Sequence, residues 1–312
     1  MDISIILCTY NRSQYLGQML DNLLSLKSDA SFDHEIIIVD NNSKDKTKEI
    51  IGSFIHKSNR IRYVFEPKQG TSNARNAGIA HAKGAIIAFT DDDVVVDNDW
   101  LLNIAHFSKE YDFDAIGGKV LFLFPPQTPQ WMIDHQDMFW GPIPYHYHGE
   151  AVKLYDQTMN SFVGANMIIK KKVFDEAGGF DTDLGPGSAI PFGGEDTVFF
   201  TKIQKLNKKI YYNPNITIHH PVKKDRITLK FIAKWCYSFG HYLIIMNRNP
   251  KPHVYYFGIP RYLYREIPLI LLSLPFLAFN KPLFLKNWRL LYIRLGMLDA
   301  YRSKTHTKET HQ

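Results

Sequence analysis

Apolar residues along this chain fall into short unbroken runs, separated by stretches in which they recur every three or four positions. Ile3–Cys8 is the first run, and the stretch after it sets Tyr15, Leu16, Met19, Leu20, Leu23 and Leu24 on one helical side. Glu35–Val39 reads as a second buried strand, followed by a turn at Asp40-Asn41-Asn42-Ser43. A helix then starts near Asp45 with Ile50, Ile51 and Phe54 facing inward. Ile61–Phe65, Thr71–Ala82 and Ala85–Phe89 continue the series as strand, helix and strand. Continuous apolar strands alternating with helices predict a mostly parallel sheet covered on both faces. Ligands of such sheets sit beyond the carboxyl ends of the strands.

The pattern breaks at 125–155, where Pro125, Pro126, Pro129, Pro142 and Pro144 interleave with Trp131, Phe139, Trp140, Tyr145 and Tyr147. A functional loop or lid is expected there. Beyond it, Phe162–Lys170 reads as a strand, Val173–Ala177 as a short helix, and Thr197–Lys205 as a helix opened by Glu195-Asp196. Ile210–Tyr212 and Ile216–His219 read as two short strands, and Leu229–Met246 as a helix. The apolar run Ile267–Phe279 contains Pro268 and Pro275 and is too short to span a bilayer, which leaves a buried helix or an interfacial segment. The tail from Ser303 is expected to be disordered.

Composition changes the picture at one point. Residues 1–220 carry 21 Lys and Arg against 27 Asp and Glu, and residues 221–312 carry 16 against 4, so −6 and +12 underlie the net +6. A basic, aromatic end on an acidic body suggests a polyanionic surface as partner. Only two cysteines, Cys8 and Cys236, are present, which excludes a disulfide framework or a Cys-based zinc site and suits a reducing cytosol. Met1-Asp2 ahead of a short apolar run does not resemble a signal peptide.

The densest chemistry is Thr90-Asp91-Asp92-Asp93, placed directly after the fourth predicted strand. Three adjacent carboxylates repel one another unless a cation or donor groups compensate. Capping a helix explains one of them but not three. Hard oxygen ligands at a sheet edge suit Mg²⁺ or Mn²⁺ holding a diphosphate. Glu195-Asp196 follows Gly193-Gly194 and opens a helix. Dipole stabilisation alone accounts for such acids, but the glycines allow a close backbone approach, and a carboxylate there could serve as general base. His219-His220 ends a strand, where neighbours face opposite ways, so at most one can reach the metal. Gly70–Gly78 opens a helix and includes Arg75. It is not a Walker loop, and Cys8-Thr9-Tyr10-Asn11-Arg12 replaces the glycine fingerprint of a nicotinamide dehydrogenase.

In this order the segments resemble family 2 glycosyltransferases of the GT-A fold. The resemblance rests on Ser4–Arg12, Ile37–Ser43, Gly70–Gly78, Asp91-Asp92-Asp93, Gly164-Ala165-Asn166, Gly178–Asp181, Gly194-Glu195-Asp196 and His219, and it covers roughly residues 3–220. It implies an α/β fold of GT-A type: a Rossmann-like mixed, mostly parallel sheet flanked by helices, with a C-terminal helical extension. Residues 1–221 would form the catalytic domain, with a nucleotide-sugar half at 1–110 and an acceptor half at 111–221 carrying the loop 125–158. Residues 222–302 would be the basic extension and 303–312 a disordered tail.

By the same resemblance, Thr9, Asn11, Arg12, Asp40, Asn42, Arg75, Asp91 and Asp92 would bind the donor, with Asp40 and Arg75 near the base. Asp93 of the DXD motif and His219 would hold Mn²⁺ or Mg²⁺. Asp196 would be the catalytic base with Glu195 beside it. Phe192 has no titratable group for that role, and Arg226 could neutralise the departing diphosphate. Trp131, Trp140 and Asn166 are candidates for the acceptor. The implied activity is inverting transfer from a nucleoside-diphosphate sugar, UDP-sugar favoured, to a hydroxyl of a glycan or lipid-linked acceptor in cell-surface polysaccharide or glycoconjugate synthesis. The alternative is a nucleotide-sugar-binding or nucleotidyltransferase-type protein, although Thr9–Arg12 matches a nucleotidyltransferase loop poorly. For the basic end, an anionic membrane surface, nucleic acid and a merely solvated face compete. No nucleic-acid motif accompanies the charge, and the interleaved aromatics favour peripheral attachment at the inner face of the cell membrane.

Overall fold

The computed structural model describes residues 1–156, 159–188, 193–245 and 254–309, with side chains of the last helix described to Ser303. Two compact units emerge, one formed by 1–123 with 144–221 and the other by 124–143 with 222–312.

The first unit opens with β1 (Ile3–Thr9), α1 (Ser13–Leu24), β2 (His34–Asp40), α2 (Thr47–Ile55), β3 (Ile61–Phe65), α3 (Thr71–His81) and β4 (Ile86–Asp91). Then follow β5 (Val95–Val96), α4 (Trp100–Glu110) and β6 (Ala115–Leu123). After α5 (Gln130–Asp134), which belongs to the second unit, come β7 (Lys153–Leu154), β8 (Met167–Lys170), α6 (Lys171–Ala177), α7 (Glu195–Lys205) and β9 (Ile210–Pro221). The sheet runs β3-β2-β1-β4-β8-β6-β9-β5, with β7 also on β9. β3, β2, β1 and β4 are mutually parallel, and β8 is antiparallel to both its neighbours.

The alternation of strand side chains builds two cores. Ile3, Ile5 and Leu7 of β1 pack with α1, α2 and α4, among them the fully buried Trp100. Ile6, with Ile37 and Val39 of β2, faces the other way onto α3, α6 and α7 through Ala74, Phe174, Phe199 and Ile203. Burial on both faces is why the strands read as unbroken apolar runs.

Two expectations change here. Phe162–Lys170 is not one strand, because a 3-10 turn at Gly164–Asn166 precedes β8. The two short strands at 210–219 are one, β9, interrupted by a bulge: Gly118 pairs with Asn213 and the next residue, Lys119, with Thr217. Pro214 cannot donate to the ladder, so the chain loops out and rejoins it.

The second unit holds α5, α8 (Leu229–Ile245), α9 (Arg261–Leu277) and α10 (Lys281–Glu309), with α10 packed along α8 and α9. Segment 124–143, expected in the acceptor half, thus groups with the basic extension. The helix expected to end at Met246 is described to Ile245, and Met246 lies outside the described residues. The tail expected to be disordered from Ser303 is helical to Glu309, since adding turns to a packed helix requires no new nucleation. Among the described residues no helix is long and apolar enough to cross a membrane.

Candidate active site

Strand register gathers the polar residues at one edge of the first unit. Thr9 lies opposite Asp40, and Cys8 opposite Asp91, so the ends of β1, β2 and β4 coincide. Phe89 lies opposite Met167, which brings the turn Gly164–Asn166 to the same edge. His219 lies opposite Val95 of β5 and Leu121 of β6.

The loops after β1 and β2 are tied to each other. Asn11, at φ 51°, donates its N–H to Ser43 Oγ at 3.0 Å, and its side-chain oxygen accepts the Lys44 N–H at 2.7 Å. Asn42, also in the left-handed region at φ 65°, bonds Pro67 O and Lys44 Nζ. Asp40 is buried and accepts from the Ser43 N–H at 2.9 Å and the Tyr63 hydroxyl at 3.1 Å. Both its oxygens therefore shape the loop floor, whatever else they bind. Asn41 does more of this work than the sequence indicated. Its side-chain oxygen accepts the Gly70 N–H, and its amide donates to Glu66 O and Lys68 O.

Within the acidic triplet the three carboxylates differ. Asp92 turns inward, accepts the Thr9 hydroxyl at 2.7 Å, and is pushed up to about 7 by burial, against the pull of that bond. Asp91 is the most open, with 36% of its side chain exposed. Asp93 sits between Arg12 Nη1 at 3.2 Å and His220 Nε2 at 3.7 Å. His220, not the expected His219, is thus the imidazole at Asp93. His219 turns to the other face of β9 and meets Asp97 at 3.0 Å.

Arg75 is also placed differently from expectation. Its guanidinium is buried. It lies between the two acidic stations, 2.8 Å from Glu195 Oε1 and 3.7 Å from Asp91 Oδ1. Burial alone would lower its pKa, but Glu195 and then Asp91 more than reverse this and hold it cationic. Its close packing requires Gly164, where a Cβ would stand 2.3 Å from Nη2. The same glycine donates its N–H to Asp196 Oδ2 at 3.0 Å. Gly194, at φ 89°, makes the sharp entry into α7 that turns Glu195 inward and leaves Asp196 partly exposed. Burial, and then Asp196 beside it, push the Glu195 carboxyl up, opposed by Arg75. Cys8 is held protonated, pushed up to about 12 chiefly by burial.

Three further candidates are held by partners of their own. Asn166 is fully buried: its oxygen accepts from Trp100 Nε1 at 2.8 Å, and its amide donates to Lys119 O and Ile216 O, both at 2.9 Å. Both amide protons and one oxygen lone pair go to the protein, so the fully buried side chain stitches the β9 bulge. Trp131 and Trp140 belong to the second unit, where Trp131 packs near Phe139 and Trp140 O accepts from Arg289. Arg226 is also in that unit, over the Phe231 ring. Phe192 lies outside the described residues.

A divalent ion fits the donor set. Asp91 and Asp93 offer hard oxygens at one edge, and among the described residues the buried oxygens Thr90 Oγ1 and Glu195 Oε2 lack hydrogen-bond partners. Among those residues no three His, Cys, Asp or Glu side chains converge as a cage. One or two carboxylates completed by water and diphosphate oxygens is the usual arrangement for Mg²⁺.

The fold is an α/β sheet with an acidic triplet on a parallel strand end and a second acidic pair at a helix start. Residues 4–178, more than half of the chain, match the model of Glycosyl transferase family 2, and the chain belongs to that family. It is a glycosyltransferase with a GT-A-like fold. It is 28% identical over 242 residues to the "Succinoglycan biosynthesis protein ExoM" of Rhizobium meliloti, covering 77% of this chain and 73% of that protein. The structure is similar to the mannosyltransferase PcManGT from Pyrobaculum calidifontis in complex with GDP-Man and Mn²⁺, at TM-score 0.60 and 19% identity over 97% of this chain and 86% of that one. It is also similar to S. aureus TarS in complex with UDP-GlcNAc, at TM-score 0.58 and 17% identity over 100% and 93%.

Proposed function

We propose that this glycosyltransferase transfers a sugar from a nucleoside-diphosphate donor, a UDP-sugar in the favoured case, to a hydroxyl of a glycan or lipid-linked acceptor with inversion at the anomeric carbon. The observation that carries this reading is the Arg75 bridge. It joins the triplet that suits a metal and diphosphate to the helix start where Asp196 is partly open. The polysaccharide role of the Rhizobium relative and the sugar nucleotides in the two similar structures support donor and pathway class.

Asp91 and Asp93 would hold Mn²⁺ or Mg²⁺, with His220 beside Asp93. When bound, such an ion acts as a Lewis acid on the diphosphate leaving group. Arg12 adds positive charge at the same edge. Asp196, oriented by the Gly164 N–H, takes the proton of the acceptor hydroxyl as that oxygen attacks the anomeric carbon. The new carbon–oxygen bond forms as the bond to the diphosphate oxygen breaks, and the nucleoside diphosphate leaves.

Asp196→Asn tests the base. The amide keeps the shape but cannot accept the proton, so transfer should fall roughly 100- to 10,000-fold while UDP affinity in the presence of Mn²⁺ changes little. Asp93→Ala should weaken both Mn²⁺ and UDP binding by calorimetry. Full transfer by Asp196→Asn would remove the base assignment, and donor binding without any transfer by the wild type would favour a sugar-nucleotide-binding role.

A further inference from the structure

One side of α9 is packed and the other is bare. Leu263, Ile270 and Leu274 are buried, the last two against Leu291 of α10. Turned outward are Leu269, Leu272 and Phe276, at 59%, 68% and 86% exposure, followed by Phe279 at 100% and Leu283 at 40%. On α9 the steps of three and four residues set Leu269, Leu272 and Phe276 on one side, roughly 10 Å long at about 1.5 Å per residue, and Phe279 and Leu283 follow in the turn and at the start of α10. A water-facing surface rarely carries two phenylalanines this bare in a row of leucines.

The charges around the stripe indicate what covers it. Arg261 and Arg265 are exposed before it, and Lys281 and Lys286 after it. The nearby acids are engaged: Glu266 with Arg294 at 2.7 Å, and Asp299 with Tyr237 and His241. An apolar stripe bracketed by cations matches the boundary of an anionic leaflet, where side chains enter the acyl region and cations meet phosphates. Two prolines set the depth. Pro268 and Pro275 lack the N–H groups that would bond the carbonyls of Tyr264 and Leu271 in a regular helix. Those carbonyls need water or headgroup donors, which the interface supplies and the hydrocarbon centre does not.

We propose that α9 lies in the plane of an anionic membrane surface, with Leu269, Leu272, Phe276 and Phe279 inserted and Arg265, Lys281 and Lys286 on the lipid phosphates. This deepens the reading of a lipid-linked acceptor, and its test needs neither donor nor acceptor, so its failure would leave glycosyl transfer standing.

The experiment is flotation of the purified full chain with phosphatidylcholine vesicles, with and without phosphatidylglycerol, at low salt. The wild type should float with the phosphatidylglycerol vesicles. F276S/F279S should lose that binding by about tenfold or more, because it removes the two most exposed apolar groups of the stripe. K281E/K286E should lose the preference for phosphatidylglycerol. All four positions are exposed or at helix ends, and unchanged UDP affinity checks that each variant is folded. The proposal is overturned if the wild type floats with neither vesicle, or if F276S/F279S binds as the wild type does. It is also overturned if the wild type is a dimer that F276S/F279S converts to a monomer, which assigns the stripe to a second copy of the chain.

Discussion

Single residues at the site divide by what already holds them. Glu195 and Asp196 are neighbours in sequence, yet one is buried against Arg75 and the other is partly open with its carboxylate aimed by a backbone N–H. Glu195→Gln should therefore act through structure. With its partner neutralised, the buried Arg75 charge is poorly compensated, and stability should drop by about 3 kcal/mol in denaturant unfolding. Asp196→Asn should leave stability near the wild-type value. The histidine pair is a similar case. From the sequence, alternation showed that His219 and His220 face opposite sides but not which side the site is on. The register of β9 against β5 and β6 decides it. His220→Ala should raise the Mn²⁺ concentration needed for half-maximal transfer severalfold, and His219→Ala should not. Equal effects of the two would contradict the placement of His220 at Asp93.

At the scale of elements, the strands and helices of residues 3–91 were legible because burial on both faces writes a continuous apolar run. The edge of the sheet beyond them was not. Asn166 became an acceptor candidate through the family resemblance of Gly164-Ala165-Asn166, and no local pattern reveals that a bulge fifty residues later needs its amide. Asn166→Ala strands the Trp100 indole N–H and two backbone carbonyls in the core. It should cost roughly 3 kcal/mol of stability while the acceptor KM stays unchanged. The same region holds a pH-sensitive element. His146 pairs with Val120 of β6 through both backbone groups, and its ring is fixed between Gly118 O and the Tyr155 hydroxyl. Burial pushes its pKa down to about 3. The unfolded chain binds this proton below about pH 6.5 and the folded chain does not, so stability present at neutral pH is lost as pH falls from about 6.5 toward 3. His146→Gln should flatten the slope of unfolding free energy against pH by up to about 1.4 kcal/mol per pH unit in that window. An unchanged slope would mean that the ring is protonated in the folded state.

For the whole molecule, the composition shift at 221 marked a boundary, but the proline- and aromatic-rich segment 124–143 carries no charge signal that assigns it to the basic extension. It groups there through contacts such as Gly141 against Trp235 and Trp140 against Arg289. That unit is held by a close helix crossing. A Cβ on Gly240 of α8 would stand 2.2 Å from Ile293 O of α10, and one on Gly296 would stand 2.0 Å from Tyr237 O of α8. Backbone atoms cannot move aside as side chains do, so Gly296→Ala must push the two helices apart. The expected cost is about 2–3 kcal/mol. Two readouts separate the units. Four of the five tryptophans, Trp131, Trp140, Trp235 and Trp288, lie in the second unit, and the acidic edge proposed to take the nucleotide lies in the first. Gly296→Ala should lower the midpoint of unfolding followed by tryptophan fluorescence. UDP affinity with Mn²⁺, measured well below that midpoint, should remain at the wild-type value, because every donor-edge contact from Thr9 to His220 lies within the first unit. A parallel loss of UDP affinity would show that donor binding depends on the helices of the second unit.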